Sequence, residues 1–274
     1  MDSILAYQAG DSFFHRLSAG NKFLIFILLT ISGMLSFDLR YLVILTLVAV
    51  LALKISQIRW RQIALIVKFA LLFALLNLLV IYLLAPQYGA QLYGSKHVLF
   101  GSGYFALTQE QLLYESIVLF KYLFSLPLAL VFLLTTNPSQ LAAGLNKIGV
   151  PYRVAYALNL TLRYLPNIQS NFIMQKQVAE ARGYPLGKGT KIGARVKTVT
   201  RILSRLVFAT LADINAISQA MELRRFGQLK KRSWYYQEKW QGRDLFSLII
   251  TILLILLNLT FCYWNGSQYW NPFV

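Results

Sequence analysis

Five long apolar stretches constrain what this 274-residue chain can fold into more than any other feature of the sequence. A helix needs roughly 20 mainly apolar residues to cross a bilayer, and it satisfies its backbone hydrogen bonds internally. The first two stretches are short, and Asp38 and Arg40 between them favour a helical hairpin with a tight turn. The stretches lie at about residues 22–37, 41–54, 63–85, 112–134 and 245–264. The sequence therefore predicts an all-α, polytopic membrane protein with about five transmembrane helices.

Basic residues predict the orientation of these helices. The chain carries 27 Lys and Arg residues against 10 Asp and Glu residues, a net charge of +17. Lys and Arg are enriched in the cytoplasmic connections of membrane proteins. They flank the first stretch and fill the connection between the second and third, at Arg16, Lys22, Lys54, Arg59, Arg61 and Lys68. The 86–111 connection is nearly neutral, so we expect it and the C-terminal tail outside and the N-terminus inside.

The segment that follows the fourth stretch predicts three amphipathic helices. Asn137 followed by Pro138 is typical of a helix start. A second, longer helix is expected from Pro151 to about Arg182, and a third helix after a glycine-rich turn, ending near Arg225. Apolar residues recur at helical spacing along each of them, with basic residues largely on another face.

These features together predict the domain organisation. Residues 1–134 form a transmembrane domain of four helices, and residues 135–243 form a cytoplasmic helical domain that holds most of the basic residues. Residues 244–274 form a last transmembrane helix and an outside tail. A membrane protein with a large, basic and partly apolar cytoplasmic domain is expected to bind a partner there.

A near-match to a phosphate-binding loop lies at the turn between the second and third of these helices. A Walker A loop has four residues between its two glycines and a hydroxyl residue after its lysine. Here three residues separate Gly183 from Gly187, and Gly189 follows Lys188. Because the spacing is one residue too short and the hydroxyl residue is missing, the sequence favours an ordinary turn over a nucleotide site.

A short pattern recurs at the predicted ends of the second and third helices. It comprises Glu180, Ala181, Arg182 and Gly183 in the first case, and Glu222, Leu223, Arg224 and Arg225 in the second, each followed by an aromatic residue. Simple capping is one interpretation, because cations complement a helix C-terminus. The pairing favours another, a docking site, because guanidinium groups bind carboxylates and backbone carbonyls. With Arg225 in place of glycine, Gly227 is the expected stop of the third helix.

These residues resemble the transmembrane T component of energy-coupling factor transporters, the EcfT/CbiQ family. That family carries two Ala-Arg-Gly signatures at the ends of two long coupling helices. The first is intact here as Ala181-Arg182-Gly183, and the second is altered to Leu223-Arg224-Arg225. Further likeness lies in the Thr-Thr-Asn-Pro, Ile-Gly-Val-Pro-Tyr and Arg-Tyr-Leu-Pro motifs at 135–138, 148–152 and 163–166, and in segment 10–22. The resemblance spans nearly the whole chain.

The resemblance implies a non-catalytic subunit of an ATP-driven importer in the bacterial cytoplasmic (inner) membrane. In the family, two ABC ATPase subunits dock on the signature arginines. A separate S component, which captures a vitamin or a transition-metal ion, lies against apolar faces of the coupling helices and receives the ATP-driven motion. No catalytic residue, cofactor, metal ligand or nucleic-acid partner is expected, and the coupling helices are expected inside the cell.

The resemblance also assigns roles to individual residues. The expected ATPase-docking residues are Ala181, Arg182, Gly183, Glu222, Leu223, Arg224 and Arg225. The expected S-component contacts are Leu158, Leu162, Leu203, Leu206 and Leu211. Membrane lipid is an expected partner, and the cargo is specified by the S component, which is a separate chain.

Two alternatives come from other classes of protein. A membrane-anchored enzyme could use Glu180, Asp213 or Glu222, but these acids have no His or Cys beside them in the pattern. A membrane scaffold could bind anionic lipid or nucleic acid through its basic domain. The apolar stripes within the basic helices argue against a fully solvated arm.

Overall fold

The structure, a computed structural model, describes residues 10, 12–95, 97–100, 105–184, 191–228, 234, 241–266, 269–270 and 272. Within this part of the chain the backbone forms nine helices and one pair of antiparallel strands, so the all-α fold class is confirmed. The helices are α1 (Ala19–Leu35), α2 (Leu39–Ile55), α3 (Trp60–Leu84), α4 (Tyr88–Tyr93), α5 (Gln109–Thr135), α6 (Pro138–Lys147), α7 (Tyr152–Ala181), α8 (Ile192–Leu223) and α9 (Gly242–Asn265). The strands are β1 (Val98–Phe100) and β2 (Leu107–Thr108).

Each predicted apolar stretch forms one helix, namely α1, α2, α3, α5 or α9. Three of these hold segments long and apolar enough to cross a membrane: Ile63–Leu84, Gln109–Thr135 and Gly242–Asn265. Helices α1 and α2 have 17 residues each, about 25 Å, against a hydrocarbon core of about 30 Å. Only three residues join them, and Asp38 there caps α2 by accepting the Arg40 N–H at 2.9 Å.

The chain divides into two compact units, Met1–Gly144 with Glu238–Val274 and Leu145–Gln237. In the first unit, α2 and α5 pack against each other, with α1 and α9 alongside. Gly33 of α1 permits close packing there, because a Cβ at this position would overlap the ring of Phe124 and a methyl group of Leu45. The buried core includes Leu29, Tyr41, Leu42, Leu45, Ile117 and Phe124.

Polar groups at the start of α1 tie it to the ends of α5 and α9. The carboxylate of Asp244 is buried and accepts the backbone N–H of Ser18 at 2.8 Å. The amide of Asn21 donates to the backbone carbonyl of Asp244 at 3.1 Å. The buried ammonium of Lys22 donates to the carbonyl of Thr135 at 2.7 Å. These contacts join residues more than 100 positions apart, so no local sequence pattern indicates them.

Helix α6 begins as the sequence predicts and lies against α1. The side-chain oxygen of Asn137 accepts the backbone N–H of Ser139 at 3.0 Å, which is the expected N-cap contact. Gly20 and Gly144 face each other so closely that a Cβ on either glycine would overlap the backbone of the other. Two glycines therefore allow the two helix backbones to touch.

In the second unit, α7 and α8 form an antiparallel pair. Tyr156, near the start of α7, contacts Phe226 just after the end of α8, with ring centroids 4.5 Å apart. At the other end of the pair, the Arg201 guanidinium lies over the ring of Tyr184, which follows α7. Helix α7 continues through Pro166. The three predicted helices of this region thus correspond to α6, α7 and α8, whereas α4 and the strand pair were not predicted.

Candidate functional site

Helix α7 ends in a tight backbone motif centred on Arg182. Arg182 is the last residue with near-helical backbone angles (φ −84°, ψ 8°), and Gly183 follows in the left-handed region at φ +73°. The N–H of Gly183 donates to the carbonyl of Glu180 at 2.9 Å, and that of Tyr184 to the carbonyl of Ala179 at 3.1 Å. This pair of bonds is a Schellman motif, which satisfies the last carbonyls of the helix.

Helix α8 ends in the same motif, centred on Arg224. The backbone angles of Arg224 are φ −85° and ψ 13°, nearly those of Arg182. The N–H of Arg225 donates to the carbonyl of Glu222 at 2.9 Å, and that of Phe226 to the carbonyl of Met221 at 2.9 Å. The bonding pattern therefore matches that at the end of α7 residue by residue.

The match corrects one expectation about the end of α8. Gly227 was expected to stop the helix, but Arg225 itself adopts the left-handed conformation, at φ +55°. Arg225 thus occupies the position that Gly183 occupies in the first motif. A non-glycine residue there costs roughly 1–2 kcal/mol, because its Cβ approaches the carbonyl oxygen. Arg224 is in consequence the counterpart of Arg182.

The side chains of both motifs are accessible to a partner. Leu223 is 87% exposed, although it is apolar. All seven residues predicted to dock ATPases are exposed: Ala181, Arg182, Gly183, Glu222, Leu223, Arg224 and Arg225. Glu180 lies 3.8 Å from Lys176, an exposed pair one helical turn apart that contributes little to stability.

The aromatic residue after each arginine anchors its motif to the other helix. The guanidinium of Arg201 in α8 lies 4.9 Å from the ring centroid of Tyr184. Phe226 packs on Tyr156 of α7 at 4.5 Å and on Tyr152 at 5.8 Å. Each anchor holds the backbone of its motif in place while the neighbouring arginine remains on the surface.

The two arginines lie at opposite ends of the helix pair. Because Phe226 contacts Tyr156, Arg224 lies near the start of α7, whereas Arg182 lies about 26 residues further along that helix. At 1.5 Å of rise per residue, the separation along the axis is roughly 40 Å.

The five leucines predicted to contact a membrane partner differ in exposure. Leu203 and Leu211 of α8 are 45% and 50% exposed, and Leu158 and Leu162 of α7 are partly exposed. Leu206 is buried, at 8%. The exposed apolar stripe of α8 extends beyond these leucines and includes Ile192, Val196, Leu203, Val207, Leu211 and Ile214.

A comparison with known protein families identifies the family to which this chain belongs. The family described as "CbiQ: Cobalt transport protein" matches residues 10–236. The chain belongs to the CbiQ family. Together with the membrane-crossing helices, this membership makes it a multi-pass membrane protein of a transport family, and it confirms the resemblance to the T component.

Three relatives of this CbiQ family member carry the name "Energy-coupling factor transporter transmembrane protein EcfT". The protein of Lactococcus lactis subsp. cremoris (strain MG1363) is 29% identical over 269 residues, which cover 91% of this chain and 95% of the relative. That of Exiguobacterium sibiricum is 27% identical over 205 residues, 72% of this chain and 74% of the relative. That of Streptococcus equi subsp. equi (strain 4047) is 24% identical and covers 93% and 95%.

A cavity between α7 and α8 is a feature of this CbiQ chain that sequence patterns did not indicate. Its volume is about 520 Å³, and its lining mixes apolar and polar side chains, among them Tyr156, Leu160, Tyr164, Asn167, Asp213 and Ile217. Helical periodicity assigned only Ile214 and Ile217 of this lining to the apolar face of α8. It could not show that the two helices separate here while they stay in contact at both ends.

Two features considered in the sequence concern metal ions and nucleotides. No group of three or more His, Cys, Asp or Glu side chains lies close enough there to hold a metal ion. Of the near-match to a phosphate-binding loop, Gly183 is described and caps α7, whereas Gly187, Lys188 and Gly189 lie outside the described residues.

Proposed function

We propose that this chain is the energy-coupling T component of an importer and that Arg182 and Arg224 each dock one of two ABC ATPase subunits. The observation that carries the proposal is the pair of matching arginine caps at opposite ends of the α7–α8 pair. Two equal motifs roughly 40 Å apart suit two equal partners.

Arginine fits this role for chemical reasons. Its planar guanidinium presents five N–H donors and binds carboxylates or backbone carbonyls in a groove with defined orientation. The backbone hydrogen bonds of the Schellman motif hold the main chain at Arg182 in one conformation. The main chain therefore loses little conformational entropy on docking. The exposed Leu223 beside Arg224 adds apolar surface to the second contact.

In this proposal, motion is transmitted through the same helix pair. ATP-driven approach and separation of the two ATPases push and pull on its two ends and change how α7 and α8 lie against each other. The substrate-binding S component contacts Leu158, Leu162, Leu203 and Leu211, together with the remaining exposed stripe of α8. Leu206 is left out of this contact, because it is buried.

The cargo belongs to the S component in this proposal. A vitamin or a transition-metal ion is the expected class, and the chain itself carries out no catalysis. The N-terminus and the helix pair lie in the cytoplasm, and the protein lies in the inner membrane. The alternative of a scaffold for anionic lipid or nucleic acid is not favoured, since the relatives are transporter subunits.

Copurification tests the proposal. Arg182→Glu combined with Arg224→Glu reverses the charge at both ends, and loss of a buried charge contact costs about 2–5 kcal/mol. We expect the double variant to insert into the membrane normally and to lose the ATPases during purification. The matched control is Lys197→Glu with Arg205→Glu, two exposed basic residues elsewhere on α8, which should retain them. Full ATPase binding and uptake by the double variant would exclude docking at these arginines.

A further inference from the structure

An apolar groove lies among the transmembrane helices of the first unit. It has a volume of about 550 Å³ and is lined by residues of α1, α2, α3 and α5, among them Phe26, Val50, Leu53, Val67, Ala70 and Leu126. It opens along α3, where Trp60 and Phe73 line it and are 62% and 60% exposed. A groove in this position faces the bilayer, so lipid is the medium that fills it.

The dimensions of the groove suit one acyl chain. On α3 the lining residues run from Trp60 to Ala74, which is about 21 Å along the helix axis. One leaflet is about 15 Å deep, half of a hydrocarbon core of about 30 Å. A partner helix is about 10 Å wide, and over the same length it would occupy roughly three times the volume of the groove.

Basic residues are direct sequence neighbours of the residues that line the Trp60 end of the groove. Lys54 follows the lining residue Leu53, and Arg59 and Arg61 stand on either side of Trp60. These three side chains and Lys68 are exposed, and none of them makes an ion pair within the described ranges. The sequence from 39 to 109 contains no Asp or Glu residue. The sequence neighbours of this end of the groove therefore carry positive charge, and no acidic residue lies near them in the sequence.

We propose that this groove is a binding site for an anionic phospholipid. One acyl chain lies between α3 and α5, and the phosphate lies against Lys54, Arg59 and Arg61. Trp60 sits at the boundary between headgroup and hydrocarbon, where tryptophan is enriched in membrane proteins. Basic pockets between transmembrane helices bind anionic lipid headgroups in membrane proteins. The enrichment of basic residues on the cytoplasmic side of membrane proteins accounts for these charges, but not for an apolar groove about 21 Å long beside them.

Photo-crosslinking of lipid to the full chain tests the site. The protein is reconstituted into vesicles of phosphatidylcholine and phosphatidylglycerol with a trace of either lipid carrying a diazirine on its acyl chain. We expect the phosphatidylglycerol probe to label Ala70, Leu71 and neighbouring residues of α5 far more than Leu65 and Leu72, which lie outside the groove. Labelling spread evenly around α3, or equal for the two headgroups, would overturn the proposal.

Two variants distinguish the contribution of the headgroup contact to lipid binding from the contribution of the groove. Arg59→Gln with Arg61→Gln should lower phosphatidylglycerol labelling about twenty-five-fold, since each basic residue at an anionic surface favours binding about fivefold. Lys191→Gln with Arg195→Gln removes the same charge elsewhere and should leave labelling unchanged. Ala70→Phe fills the groove and should lower labelling by both probes. Unchanged labelling in the Arg59 and Arg61 variant contradicts the site, and so does labelling that falls equally in the control.

Discussion

Arg225 holds, at the end of α8, the left-handed backbone position that Gly183 holds at the end of α7. The φ angles are +55° and +73°, and the flanking hydrogen bonds match residue by residue. The altered second signature therefore keeps the backbone geometry of the intact one. Arg224 remains in the place of Arg182, so the alteration changes the stability of the motif rather than the position of its arginine.

Arg225→Gly should stabilise the protein. Glycine adopts the left-handed conformation without the Cβ clash, so we expect a gain of about 1 kcal/mol and a rise in Tm of about 2 °C. ATPase copurification should stay as in the wild type, because Arg224 is untouched. Thermal unfolding followed by circular dichroism in detergent measures the first effect. A loss of ATPases in this variant would show that Arg225 itself carries the contact.

The two aromatic anchors should differ in their contribution to stability. Phe226 packs on Tyr152 and Tyr156, whereas Tyr184 is held by a cation–π contact with the exposed Arg201. Such a contact at an exposed site contributes about 0.5–1 kcal/mol, so Tyr184→Ala should cost about that much. Phe226→Ala should cost about 2–3 kcal/mol, since it empties part of an aromatic cluster. Equal losses of Tm in the two variants would contradict this difference.

Replacement of glycine by alanine should have opposite effects on stability at Gly144, which contacts Gly20, and at Gly193. A Cβ at Gly144 would overlap the backbone of α1, so Gly144→Ala should destabilise the protein by about 1–3 kcal/mol. Gly193 is the second residue of α8, and a Cβ added there would meet no described atom within 4 Å, so Gly193→Ala should stabilise the protein by up to about 0.5 kcal/mol. Thermal unfolding compares the two variants directly, and a stabilised Gly144→Ala protein would contradict the close approach of α1 and α6.

Local sequence patterns predicted the helices. Most of the features that these patterns missed depend on contacts between residues that are far apart in the sequence. Asn137 marks the start of α6 because its capping bond is to a residue two positions away. The left-handed conformation of Arg225 was missed because nothing in the residue type indicates it and Gly227 offered a simpler stop. The buried bond from Ser18 to Asp244 joins residues 226 positions apart, which no periodic pattern can indicate.

The same distinction applies to the candidate site. Repetition in the sequence identified Arg182 and Arg224 as a pair. Their placement at opposite ends depends on the antiparallel packing of α7 on α8, which is seen only in contacts such as that of Phe226 with Tyr156. Helical periodicity assigned Leu206 to the same apolar face as Leu203, but the packing buries Leu206 and leaves Leu203 exposed.

The most direct test of docking at both ends is the number of ATPases crosslinked per chain. A photoreactive amino acid replaces Ala181, Leu223 or both, positions that are exposed beside the two arginines. The complex is irradiated, and the masses of the crosslinked products are measured by denaturing mass spectrometry. Docking at both ends predicts one ATPase crosslinked in each single-site variant and two in the double-site variant. A double-site variant that never carries more than one ATPase would contradict it.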